Sequence, residues 1–116
     1  MPGKDSRITK EKNRLKKIFS DVPENKMKTV EGLIVRAAFM RISLEDFEQD
    51  LNENGFTESF RQGLNQEPYD RKRPTAELYN AMNTSYQKII KQLTDLLPDD
   101  RKENDELLDF LGGDKA

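Results

Sequence analysis

The chain of 116 residues contains no cysteine, no histidine and no tryptophan. Without cysteine there is no disulfide framework and no thiolate nucleophile, which fits a reducing compartment. Without histidine, the usual zinc and copper ligands are missing, and so are the Ser-His and Cys-His pairs of covalent catalysis. The six glycines fall into neither GxxxxGK[ST] nor GxGxxG, so no Gly-rich phosphate turn is indicated. No apolar run approaches the ~20 residues that span a bilayer. The stretch MPGKDSRITKEKNRLKK has no apolar core of the signal-peptide kind. These absences lead us to expect a soluble, cytoplasmic protein that uses no cofactor, binds no metal and is not an enzyme.

What the chain does have is charge. Charged residues make up 36% and hydrophobic residues 34%, a balance that suits exposed helices or an oligomer better than a thick core. The net charge of -2 averages over a gradient. Residues 1–17 hold seven Lys/Arg against two acids, whereas residues 99–116 hold seven acids against three bases. A basic head and an acidic tail suggest two different partners, or one end meeting the other in an assembly.

Apolar periodicity places three helices. The first, over about 9–19, puts Leu15, Ile18 and Phe19 on one side, and Ser20-Asp21-Val22-Pro23 then breaks and restarts the chain. The second, over 24–54, carries Val30, Leu33, Ala37, Met40, Leu44, Phe47 and Leu51, spaced 3, 4, 3, 4, 3, 4, and stops at Asn54-Gly55. Ser43-Leu44-Glu45-Asp46 has the form of a capping motif that would split this segment. The seam keeps its phase across Ser43, so we read one long helix. The third, from Pro74 to just before Pro98, carries Tyr79, Met82, Tyr86, Ile89, Leu93 and Leu96, spaced 3, 4, 3, 4, 3.

The two seams span roughly 32 Å and 26 Å at 1.5 Å per residue. Similar lengths joined by the 18 residues 56–73 point to an antiparallel hairpin. Whether the seams meet within one chain or between chains stays open. Within the connection, Phe56, Phe60 and Leu64 are four apart and are read as a short helix covering the hairpin's end. The fold class is therefore all-α: a long antiparallel helical hairpin over 23–98, a short basic N-terminal helix or arm over 1–22, and a flexible acidic tail over 99–116.

Two stretches are candidate binding sites. Lys4, Arg7, Lys10, Lys12, Arg14, Lys16 and Lys17, with Arg71, Lys72 and Arg73 before the third helix, have the charge to neutralise phosphates with little base reading. The alternative is a solvated terminus. In the tail, Leu107, Leu108, Phe110 and Leu111 stand among Glu106 and Asp109, a pattern common in docking peptides. Packing back onto the hairpin is the equal alternative. Glu45, Asp46, Glu48, Asp50 and Glu53 are the acids available for a carboxylate site, but solvated helix faces look the same.

RLKKIFSDVPENKMKTVEGLIVRAAFMRISLEDFEQDLNENG followed by RPTAELYNAMNTSYQKIIKQLTDLLP resembles a family of small helical proteins from tailed bacteriophages and prophages of Gram-positive bacteria, described as terminase small subunits. The likeness runs from about Arg14 to Pro98 and is most specific at 21–26, 38–55 and 79–98. It implies a role in genome packaging within the bacterial cytoplasm. By this likeness the chain is a ring-forming homo-oligomer that binds double-stranded viral DNA and recruits the large terminase subunit, which carries the ATPase and nuclease. One departure stands out: no helix-turn-helix is recognisable before the hairpin, so DNA would be held by many modest contacts in a ring of basic heads. The alternative function is a helical interaction, assembly or regulatory module without DNA binding.

Overall fold

The computed structural model describes residues 3–98. Helix α1 spans Lys4–Ile18, and a 3-10 turn at Glu24–Lys26 leads into α2, Met27–Asn54. Strands β1, Thr57–Phe60, and β2, Tyr69–Lys72, form a ribbon before α3, Pro74–Asp95. The fold is mostly helical.

Local sequence explains the boundaries. Asp5 stands in the first turn of α1 and Lys16 and Lys17 in the last, each sign at the end of the helix dipole that favours it. α2 runs without interruption through Ser43 for 28 residues, because the residues beyond the capping signature keep burying one side. It ends at Gly55, whose φ of 84° is a conformation side-chain-bearing residues rarely adopt, and whose N–H donates to the Leu51 carbonyl at 2.8 Å. α3 opens on Pro74 after an extended Arg73.

The connection is not helical. The expected short helix through Phe56, Phe60 and Leu64 is replaced by the antiparallel ribbon, in which Thr57 pairs with Lys72, Glu58 with Arg71, Ser59 with Asp70 and Phe60 with Tyr69. The all-α expectation is corrected to this extent. Cross-strand contacts explain the preference: the Phe60 and Tyr69 rings meet edge to face at 5.8 Å, and Arg71 lies 3.5 Å over the Phe60 ring while bonding Glu58 at 2.7 Å. Three apolar residues four apart, with Gly63 between two of them, offer a helix less.

α2 and α3 form the expected antiparallel hairpin, and their seams meet within one chain. Arg73 reaches Asp50, Tyr79 donates to Glu48, and Leu93 packs in one cluster with Val30 and Ala37. α1 runs back along α2, with Phe19 beside Val30 and Ile34 at one end and Arg7 beside Glu45 and Asp46 at the other. The first segment therefore shares the core, contributing Leu15, Ile18 and Phe19. With a third helix present, the buried track is broader than a heptad seam. Ile34, Ala38, Ile90 and Leu97 are buried, each one residue past a position of the two seams, and Ile42 is buried between Met40 and Leu44. Leu33, Met40, Phe47, Met82, Ile89 and Leu96, on the seam itself, are only partly buried.

Candidate nucleic-acid interface

α1 carries most of the candidate cations, and its packing on α2 sorts them. The guanidinium of Arg7 donates to Asp46 at 2.7 Å and to Glu45 at 3.1 Å, and these bonds hold its pKa above the ordinary value. Arg14 makes a two-pronged contact with Glu11, at 2.8 and 2.7 Å, which raises its pKa in the same way. Glu11 is 8% exposed, so this pair is a structural requirement: a carboxylate so buried needs a charged partner. Lys4 is exposed, with its ammonium 5.0 Å from the centroid of the Phe39 ring.

The other lysines of α1 are differently placed. Lys10, Lys16 and Lys17 are exposed and Lys12 is half-buried, and none has an acidic partner among the described residues. Lys10 and Lys17 are seven residues apart, which puts them on one side of the helix, roughly 10 Å from each other. Lys10 also stands at a cavity of about 390 Å³ that Arg7, Glu11, Arg14, Ile42 and Glu45 line. Within this lining Arg7 is paired with Glu45 and Arg14 with Glu11.

The second cluster divides likewise. Arg71 is held by Glu58 and the Phe60 ring. Arg73 is half-buried and pins the ribbon to the bundle, donating to the Gly55 carbonyl at 2.7 Å and to Asp50 at 2.9 Å. Hydrogen bonds from Asn54 and Arg73 hold the Asp50 carboxyl below its ordinary range. Lys72 is exposed. Thus all four arginines among the ten candidates are engaged with carboxylates, whereas five of the six lysines are exposed and Lys12 is half-buried. The planar fork of arginine suits paired carboxylates, and the flexible ammonium stays hydrated.

Of the acids, Asp46 and Asp50 are each held by an arginine, Glu53 accepts from Gln49 at 3.2 Å, and Glu48 accepts from Tyr79 at 2.9 Å. Among the described residues no group of three or more metal-ligating side chains comes together. No described helix is long and apolar enough to cross a membrane. Burial pushes the phenol of Tyr86 upward in pKa, beside Arg41, Glu11 and Arg14. Leu107, Leu108, Phe110 and Leu111 of the tail lie outside the described residues.

Sequence reasoning missed Glu11 as a buried acid. The available signal was its spacing: it falls four residues before Leu15 and seven before Ile18, on the packing side of α1. In comparisons with known proteins, no family model, curated protein or solved structure matches this chain.

Proposed function

We propose that this protein is a non-enzymatic DNA-packaging component of a tailed bacteriophage or prophage. In this reading it is a helical homo-oligomer of the terminase-small-subunit kind that binds double-stranded viral DNA and recruits the large subunit. One observation carries the reading: Lys10, Lys16 and Lys17 stand exposed on a helix fixed into the core, with no acidic partner among the described residues. A rigid row of hydrated cations contacts phosphates without reading bases. A single such helix binds weakly, and a ring of copies adds the contacts through multivalency. The partly exposed seam residues Leu33, Met40, Phe47, Met82, Ile89 and Leu96 supply an apolar edge for a second copy.

The test is a salt titration of duplex binding by the wild-type chain and by Lys10→Gln/Lys16→Gln/Lys17→Gln. The variant should bind more weakly and lose up to ~2.7 from the slope of log affinity against log salt, at ~0.9 per phosphate contact. Equal slopes would remove α1 from the DNA interface. A second reading, a helical interaction or assembly module without DNA, is favoured by the engagement of Arg7, Arg14, Arg71 and Arg73 with acids. It expects no binding by either protein.

A further inference from the structure

α1 covers one side of the α2–α3 hairpin. It meets α2 at Ile34, Phe39, Ile42, Glu45 and Asp46. At ~100° per residue, those positions centre about half a turn of α2 away from Leu33, Met40 and Phe47, which are half-buried. On α3 a second stripe runs through Leu78, Met82, Ser85, Ile89, Gln92 and Leu96, spaced 4, 3, 4, 3, 4. Leu78 is 58% exposed, Ser85 and Gln92 are exposed, and the other three are half-buried. Leu33, Ile89 and Leu96 each precede a buried residue, Ile34, Ile90 and Leu97. In an antiparallel pair of right-handed helices, positions that precede the facing residues fall on the same side. The two stripes therefore make one face, on the side of the hairpin away from α1.

That face is nearly free of charge in a chain that is 36% charged. The four charged residues of α3, Glu77, Lys88, Lys91 and Asp95, each stand one residue before a stripe position and so ~100° round the helix from it. On α2, Arg36 is the one charge on this side. A large apolar face without charges marks an interface. It is ~27 Å long and two helices, ~20 Å, wide, which gives about 500 Å² on one copy and about 1,000 Å² on two, the size at which a specific pair holds. A charged partner would find no counter-charges here, whereas a second copy brings the same apolar surface. A two-fold axis sets the α3 stripe against itself in reverse, with Leu78 against Leu96, Met82 against Gln92 and the small Ser85 against Ile89.

We infer that a second copy of this chain covers the open face of the α2–α3 hairpin, with the two α3 helices antiparallel across a two-fold axis. The pair buries both stripes and leaves α1 on each of its two outer sides, so the lysines of α1 stay clear of the interface. This specifies the apolar edge in the proposed function and rests on its oligomeric part; the pairing does not depend on DNA.

The test is sedimentation equilibrium from about 1 μM to about 100 μM, the range in which such a pair forms, on the wild-type chain, Leu78→Glu/Ser85→Glu and the control Val35→Glu, each with and without duplex. Both sites of the double variant are exposed, so its helix content by circular dichroism should match the wild type. Pairing predicts association by the wild type and by Val35→Glu, and association at least roughly thirtyfold weaker in the double variant, where unpaired charges enter the face. It also predicts that dilution of the wild type moves the amide shifts of Ser85 and Gln92 and leaves those of Lys10 and Lys17 in place. A wild-type chain that stays monomeric, with or without binding duplex, would overturn the inference. So would wild-type association by the double variant, or loss of association in Val35→Glu, which would put the contact elsewhere on α2. Association by a chain that ignores duplex would support the pairing and sink the DNA-binding reading alone.

Discussion

Ser43 is 5% exposed, and its hydroxyl has no hydrogen-bond partner, the one such buried side-chain atom among the described residues. A buried hydroxyl without a partner costs stability, and alanine is also the better helix former. Ser43→Ala should therefore stabilise the protein by ~1 kcal/mol, seen as a rise of a few degrees in thermal midpoint. A fall would mean that the hydroxyl is satisfied. In sequence the residue looks like the first position of a capping box, and only its burial inside a continuous helix shows that the signature went unused. A second comparison separates the broad core from a simple seam. Ile34 is 2% exposed, so Ile34→Ala should cost ~2–4 kcal/mol in a urea titration, while Leu33→Ala at the half-open edge should cost about half that. If the heptad seam alone formed the core, the order would reverse.

At the scale of elements, α2 and α3 were legible because uninterrupted apolar spacing, Gly55 and Pro74 all agree. The length of α1 and its place in the core were not, since Ile8, Glu11, Leu15 and Ile18 mix a charge into a short apolar stripe. The ribbon was not legible either, because Thr57–Phe60 and Tyr69–Lys72 are short and charged, and their pairing depends on Arg71 meeting both Glu58 and Phe60. An isolated two-stranded ribbon is marginal in water, so this one depends on its attachment. Arg73→Ala, which removes the bonds to Gly55 and Asp50, should accelerate amide hydrogen exchange in β1 and β2 and leave α2 unchanged. Loss of protection in α2 as well would show that the ribbon and helices open together. The hydrogen bonds that Asp50 accepts from Asn54 and Arg73 carry a pH dependence as well. Because the Asp50 carboxyl is held below its ordinary range, its contribution is present above its unfolded-state pKa and is lost as the pH falls through the folded value. Asp50→Asn should flatten the acid limb of the thermal midpoint below about pH 4. An unchanged limb would assign acid sensitivity to other carboxylates.

For the whole molecule, the charge gradient and the three-helix bundle give the proposed packaging role its physical content. The bundle holds α1 rigid, so that its exposed lysines face outward, and it leaves a partly exposed apolar edge along the hairpin. The arginines, which composition alone groups with the lysines, are instead used to stabilise the bundle and the ribbon. The sequence could not reveal this division, because it depends on which acids come into reach after folding. The proposed role needs both an oligomer and DNA, and one experiment measures both: the solution mass by light scattering, with and without double-stranded DNA, at low and moderate salt. The account predicts a closed oligomer that gains mass with DNA at low salt and loses that gain as the salt is raised. A monomer or dimer whose mass ignores DNA would contradict it.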